Sequence, residues 1–323
     1  MTDKPTPGQS PEPTPPARGR ALYGCMGLGG TWDRAPHTPH DIDHAEAAIT
    51  AALDAGITDF DHADIYRHGK SEAVFGEVLA RWPGLRERIT LQTKCGIRLP
   101  EDGRPGIYDL RAPSILESVR ASLTRLRTDH VDTLLLHRPD PLADPAQIAE
   151  AFAELRSEGL VRHFGASNMS AAQIAHLQSH LDVPLVANQL EMSLEQRDWV
   201  ESGVQVNTAA AAAGGFPTGT IEHCLAHGIE LQAWGALARG RYTGAEPSPA
   251  ADLIARLAER KHTTPETILL WWLQRHPAAI RPVIGTSRPA RILACRDAVL
   301  REPDLSHEDW YALWLAARGE PLP

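Results

Sequence analysis

The chain has 323 residues, 42% hydrophobic and 23% charged, with a formal net charge of −9 at pH 7. That charge argues against non-specific binding to nucleic acid and to anionic membrane surfaces. No apolar run approaches the roughly 18 residues of a membrane span. Met1 to Arg20 is rich in Pro, Thr and Ser and has no apolar core of a secretory signal, so residues 1–20 are expected to form a disordered tail and 21–323 the folded unit. Cys25, Cys95, Cys224 and Cys295 form no CxxC pair and are expected to be reduced thiols of a cytoplasmic protein.

In chain order the predicted elements alternate between strand and helix. Leu22 to Leu28 predicts a strand running into Gly27-Leu28-Gly29-Gly30. Asp41 is the expected cap of a helix that reaches Ala55 and stops at Gly56. Further strands are predicted over 57–61, 89–94, 131–137, 161–166, 183–188, 229–234 and 281–284. Helices are predicted over 71–82, 114–127 (capped by Ser114 or the residue before it), 145–158, 170–181, 218–227, 248–261, 264–275, 289–300 and 306–317. Segment 194–217, with Trp199, Ala209 to Ala213 and Pro217, breaks this rhythm. It reads either as a surface loop with one helical turn or as a lid at the functional mouth.

Eight strands interleaved with helices imply a parallel sheet with right-handed crossovers. Runs such as Leu134-Leu135-Leu136 are apolar on both faces, as buried parallel strands are. The expected fold is α/β, a (β/α)8 TIM barrel in a single domain, with function at the C-terminal mouth. A doubly wound sheet is the alternative, but no GxGxxG follows the first strand.

Asp61, Tyr66, Lys94 and His137 each fall at the end of a predicted strand or just past it. In a barrel they converge on one mouth. An ammonium beside a phenol favours the phenolate and eases proton donation at neutral pH. Asp61 would pair with Lys94 and keep it charged, and His137 would orient a carbonyl oxygen by hydrogen bonding.

The strings DHADIY at 61–66, TKCGI at 93–97, LLLHRPDP at 134–141, VRHFGASN at 161–168, ANQLEMS at 187–193 and PVIGTSRPARI at 282–292 occur in this order. Together they resemble the aldo-keto reductase superfamily over roughly residues 22 to 318. The resemblance implies a (β/α)8 barrel that uses NADP(H), with Asp61, Tyr66, Lys94 and His137 as the catalytic tetrad. A small carbonyl compound is the implied substrate, reduced to an alcohol with Tyr66 as proton donor. A monomer is favoured, and no metal is expected.

The same resemblance implies the cofactor contacts. Ser167, Asn168 and Gln189 match residues that hydrogen-bond the nicotinamide carboxamide, and hydroxyl and amide groups complement an amide. Trp234 stands where an aromatic stacks on the nicotinamide ring. Gly235, Leu237, Arg239, Gly240 and Arg241 match the loop around the pyrophosphate. Gly285, Thr286, Ser287, Arg288 and Arg291 match the 2′-phosphate site, a loop feeding a helix N-terminus. Gly27–Trp32 resembles the first βα loop, which implies cofactor-side contacts for Thr31 and Trp32, with Trp32 also walling the substrate pocket. Gly235 and Ala236 replace the usual Ser and Pro. Ala294 and Cys295 replace residues that often contact adenine, so the resemblance does not extend to those contacts. The N-terminal hairpin that plugs the barrel bottom is shortened in this comparison, and the short segment after the last helix implies an open pocket with broad substrate tolerance.

Two rival readings follow from the same residues. A metal-dependent hydrolase on this barrel would draw on Asp61, His62, Asp64 and His68, which are close in sequence. A regulatory, NADPH-binding redox sensor with little turnover is the other.

Overall fold

Eight short parallel strands close on themselves in this chain, and the barrel they form accounts for the placement of every candidate residue. The computed structural model describes residues 20–323 except 102, 214, 245 and 246. Of the expected tail, 1–20, residues 1–19 lie outside the described residues, and Arg20 pairs with Glu302. The strands are β1 (Leu22–Gly24), β2 (Asp59–Asp61), β3 (Thr90–Cys95), β4 (Val131–Leu136), β5 (Val161–Ser167), β6 (Leu185–Glu191), β7 (Glu230–Trp234) and β8 (Arg281–Ile284). Each pairs with its neighbours in sequence, and β8 pairs with β1, in parallel throughout. This is the predicted (β/α)8 barrel. In the closed ring β3 and β7 face each other across the diameter.

Register aligns the interior. Gly24 pairs with Asp61, Asp61 with Gln92, and Gln92 with Thr133. On the far side Ser167 pairs with Gln189, Gln189 with Gln232, and Gln232 with Arg281. Branched apolar side chains usually fill such layers; this barrel places glutamines there.

Several element boundaries differ from the prediction for identifiable reasons. The first helix, Pro39–Asp54, is capped by Thr38, and Asp41 is its third residue. The Thr38 hydroxyl accepts from the Asp41 N–H while the Asp41 carboxylate accepts from the Thr38 N–H, a reciprocal capping box. The first strand ends at Gly24, because Cys25–Gly27 turns into a 3-10 helix. Helix Ala112–Leu126 begins two residues before Ser114, capped by Arg111 with Pro113 in its first turn. The strand predicted at 183–188 starts at Leu185, after Pro184, and runs on to Glu191. The predicted helix 289–300 is two short ones, Pro289–Leu293 and Arg296–Leu300. Between them the Ala294 carbonyl accepts from the hydroxyls of Thr264 and Thr267, which draws that turn out of helical register. In the irregular stretch after β3, Ile97–Arg98 pairs antiparallel with Ile107–Tyr108.

Segment 194–217 contains helix Asp198–Val204, and this helix is anchored rather than free. Trp199 is buried, edge-on to Trp272 at 5.3 Å between ring centroids. Trp272 stacks on Trp310 at 5.1 Å, and each indole N–H donates to the other residue's carbonyl. Glu201 accepts from the Trp314 indole at 2.8 Å and pairs with Arg318 at 3.3 Å. Burial of such aromatics is worth ~1.5–3 kcal/mol each, so this half of the segment is fixed to helix His307–Arg318.

Candidate active site

The catalytic candidates are built on β2, β3 and β4. Beyond β2 the chain keeps hydrogen-bonding along β3, with the His62 N–H donating to the Gln92 carbonyl and the Asp64 N–H to the Lys94 carbonyl. It then enters a 3-10 turn, Tyr66–Gly69, in which Arg67 and His68 take left-handed φ values of 52° and 58°. Two successive non-glycine residues in that region store strain, about 1–3 kcal/mol each. Tyr66 is the first residue of this turn, and the centroid of its ring lies 5.0 Å from Lys94 Nζ.

Lys94 is the hub. Its Nζ donates to Asp61 Oδ1 at 2.8 Å, to Asp61 Oδ2 at 2.7 Å and to the His62 carbonyl at 2.9 Å, and it lies 3.1 Å from the Tyr66 hydroxyl. Lys94 and Asp61 are 1% and 2% exposed, so neither charge is shared with solvent. Tyr66 and His137 meet edge-on, with ring centroids 5.9 Å apart. The structure thus brings together all four residues predicted from the strand ends.

Electrostatics sets the protonation of three of them. Burial works to strip the proton from Lys94, but the Asp61 carboxylate and the Tyr66 oxygen outweigh it, and its pKa is raised. Burial pushes the Tyr66 phenol above its ordinary value; Lys94 pulls in the opposite direction without overcoming it. The expected easing of proton donation by Lys94 is therefore present as a partial offset, and the phenol stays protonated. Burial and the Lys94 charge hold His137 well below the usual imidazole range. Its neutral ring keeps one N–H to donate, and its Nδ1 is buried without a partner. Such a set can hold an oxygen, orient it, and give it a proton.

The cofactor candidates fall into three groups. Ser167, Asn168, Gln189 and Trp234 converge at the ends of β5, β6 and β7. Ser167 Oγ donates to the Gln189 carbonyl at 2.9 Å, Asn168 Nδ2 to Ser167 Oγ at 2.7 Å, and the Trp234 indole to Asn168 Oδ1 at 3.2 Å. Asn168 itself takes φ 59°. The second group is loop 235–243, where Gly235, Ala238, Arg239 and Gly240 all have positive φ and Leu237 is buried. Arg241 forms an ion pair with Glu195 at 2.7 Å, and Glu195 also accepts from the Tyr242 hydroxyl. The third group is Gly285, Thr286, Ser287 and Arg288 leading to Arg291. Arg291 joins it to the second, donating to Thr243 Oγ1 at 2.8 Å and lying 3.5 Å from Glu266.

The first loop closes over the start of helix Lys70–Arg81. A Cβ on Gly29, at φ 84°, would sit 2.7 Å from the Lys70 carbonyl carbon, so only glycine fits there. Thr31 hydrogen-bonds Asp33, which also pairs with Lys70 at 2.9 Å. Trp32 is 45% exposed, with the Arg67 guanidinium 5.2 Å from its ring centroid and His68 edge-on to it. It thus stands beside the Tyr66 turn. Cys295 faces inward, donating to the Arg291 carbonyl, and all four cysteines are free and buried.

The residues of the hydrolase reading do not gather. Asp61 is held by Lys94, His62 packs edge-on to Phe75 at 4.6 Å, and His68 lies against Trp32. Among the described residues no three His, Cys, Asp or Glu side chains form a metal-binding group. Nor is any helix there long and apolar enough to cross a membrane.

Two residues of this site were absent from the sequence prediction. Gln92 donates to Asp61 Oδ1 at 2.6 Å, and Gln232 accepts from Gln189 Nε2 at 3.0 Å. Their signal is a glutamine in the interior of a predicted strand, in Leu91-Gln92-Thr93 and Leu231-Gln232-Ala233.

The chain is similar to known proteins over most of its length. The profile of the aldo/keto reductase family matches residues 22–313. An uncharacterized oxidoreductase, YcsN, from Bacillus subtilis is 37% identical over 85% of this chain and 88% of its own. A 6-dehydroglucose reductase from Agrobacterium fabrum is 35% identical over 94% of this chain and 95% of its own. Among solved structures, the glycerol dehydrogenase of Gluconobacter oxydans superposes with a TM-score of 0.77 at 25% identity, covering 94% of this chain and 93% of that one.

Proposed function

This chain belongs to the aldo-keto reductase family, and from that premise we propose that it reduces small aldehydes or ketones to alcohols with NADPH, Tyr66 giving the proton. The observation that carries the proposal is the contact of Lys94 with both Asp61 and Tyr66 inside a buried site.

The site suits the cofactor. Hydroxyl and amide groups of Ser167, Asn168 and Gln189 gather beside the Trp234 ring, which matches a planar carboxamide-bearing ring. Loop 235–243 and residues 285–291, tied together by Arg291, would hold the phosphates, with Thr286, Arg288 and Arg291 toward the 2′-phosphate. NADPH, when bound, supplies the hydride.

The chain's own residues do the rest. His137, neutral, donates its ring N–H to the carbonyl oxygen and fixes the oxygen beside Tyr66. As negative charge builds on that oxygen, the Tyr66 O–H transfers its proton. Lys94, kept charged by Asp61, stabilises the phenolate left behind. Proton transfer of this kind typically contributes ~10²–10⁴-fold.

Relatives at 35–36% identity that are named 6-dehydroglucose reductases make sugar-derived carbonyls the first compounds to assay. The experiment is NADPH oxidation with a panel of small carbonyls that includes 6-dehydroglucose and glyceraldehyde. Turnover that Tyr66→Phe abolishes is the expected result. Tight NADPH binding with no turnover on any member would favour a regulatory redox sensor instead.

A further inference from the structure

Barrel interiors are packed with branched apolar side chains. Here Gln92 of β3 and Gln232 of β7 reach toward each other across the full diameter, 4% and 3% exposed. Gln92 Nε2 donates to Gln232 Oε1 at 2.8 Å and Gln232 Nε2 returns a bond to Gln92 Oε1 at 3.0 Å, a reciprocal amide pair. Every remaining donor is used. Gln92 Nε2 also donates to Asp61 Oδ1 at 2.6 Å, and Gln232 Nε2 to Glu230 Oε1 at 2.9 Å. Gln232 Oε1 accepts a second bond, from Gln189 Nε2, at 3.0 Å.

The polarity of this chain follows from chemistry rather than from assignment of amide atoms. Carboxylates only accept hydrogen bonds. Asp61 therefore obliges Gln92 to turn its N–H₂ inward, and Glu230 obliges Gln232 to turn its N–H₂ down. Those two constraints leave Gln232 Oε1 facing Gln189, which must answer with its N–H₂. Its carbonyl oxygen is then the atom left for the nicotinamide side. Arg281 fixes the lower end, donating to Glu230 at 2.9 Å and pairing with Asp59 at 3.2 Å. Asp61, which holds the proton-donor group, and Gln189, which faces the cofactor group, are thus oriented by one rigid amide bridge.

We propose that Gln92 and Gln232 are positioning residues for the reaction, Gln92 setting the Asp61–Lys94–Tyr66 unit and Gln232 setting Gln189 for the carboxamide. The assignment rests on the reductase reading above. A donor on Asp61 partly neutralises its charge; without it, the field at Tyr66 is more negative and the phenol holds its proton to higher pH.

Gln92→Met and Gln232→Met keep the volume and remove the bonds, and each makes a distinct prediction. In Gln92→Met the basic limb of the kcat–pH profile moves up by at least about half a unit, and kcat falls roughly tenfold with KM and NADPH Kd nearly unchanged. In Gln232→Met the NADPH Kd rises by about three- to tenfold, because Gln189 loses its orienting partner. Gln92→Glu serves as the conservative rescue. Buried beside Asp61 it holds its proton at low pH and gives its single O–H to Asp61, restoring the bond that sets the Asp61–Lys94–Tyr66 unit, so its activity recovers toward wild type there and falls as it ionises.

Tyr66 ionisation is also read without turnover, from the ultraviolet difference between each protein and its Tyr66→Phe counterpart across pH, and NADPH Kd from fluorescence titration. A wild type that turns over nothing defeats the reductase reading and leaves these two measurements to judge the bridge. Equal losses of kcat in both methionine variants, with wild-type Tyr66 titration and wild-type Kd, would reduce the pair to packing and overturn the proposal. If Gln92→Met does not fold, Gln92→Glu with no pH-dependent recovery overturns it equally.

Discussion

Lys94 Nζ stands 3.1 Å from the Tyr66 hydroxyl and 5.0 Å from the centre of its ring, so ammonium and phenol share one buried volume. The charge that eases loss of the phenolic proton is supplied at contact distance, and the burial that resists it is supplied by the same enclosure. The hold of the phenol on its proton is therefore set by the balance between the two.

Tyr66→Phe is expected to lower kcat by ~10²–10⁴-fold and to leave NADPH affinity within about twofold, because the phenol acts only as the proton moves. Steady-state kinetics beside a fluorescence titration of NADPH checks both. A variant that retained more than about a tenth of wild-type kcat would move the acid to another group.

Lys94→Met strands a buried carboxylate. Breaking a buried ion pair from one side costs ~3–5 kcal/mol, so this variant should lose stability as well as activity. The double variant Asp61→Asn/Lys94→Met should recover much of the stability and none of the activity. Chemical denaturation of the three proteins measures this, and a double variant no more stable than Lys94→Met would show that the pair is not what Asp61 depends on.

NADPH should be preferred to NADH by at least about tenfold, since charged hydrogen bonds are worth ~1.5–3 kcal/mol. Arg291→Ala should weaken NADPH far more than NADH. It also removes the bond to Thr243 that ties the two phosphate-side segments, so a small loss for NADH is expected too. Arg241→Ala should matter less, because Glu195 already holds that guanidinium. Cofactor titrations rank the two, and a larger effect at Arg241 would reassign the phosphate contact.

Much of this was legible in the sequence. Strand ends that carry Asp61, Lys94 and His137 are visible because a charged or polar residue terminates an apolar run, and the alternation of elements gives the barrel. The position of Tyr66 relative to Lys94 depends on a strained turn at Arg67 and His68, and no local pattern encodes it. Gln92 and Gln232 are 140 positions apart and meet only because closure places β3 opposite β7. The pairing of Arg241 with Glu195 is not legible, because Glu195 lies in the segment that breaks the rhythm. Thr38-Pro39 with Asp41 three residues on is the capping-box pattern, a local signal that favours Thr38 over Asp41 as the cap. Apart from this cap, what the sequence leaves unseen is pairing between residues far apart in the chain.

Stability against pH should reveal two buried groups of opposite sign beneath the Tyr66 turn. Burial, with Lys94 adding to it, depresses His62 to about 3 from 6.5. The unfolded chain thus binds the proton more tightly, so this contribution is complete above pH ~6.5 and is lost as pH falls toward ~3. Burial and the nearby Glu72 raise Asp64 from 3.8 to about 7. The folded chain binds that proton more tightly, so its contribution is complete below pH ~4 and is lost as pH rises through ~7. Between about pH 4 and 6.5 the two slopes oppose, and the wild-type melting temperature should change little from this pair. His62→Leu leaves Asp64 alone, and its melting temperature should fall as pH rises across that window. Asp64→Asn leaves His62 alone, and its melting temperature should climb across the same window. Thermal melts of the three proteins at half-unit intervals decide the matter. Parallel curves for wild type and His62→Leu would mean that His62 is not the group whose protonation opposes folding.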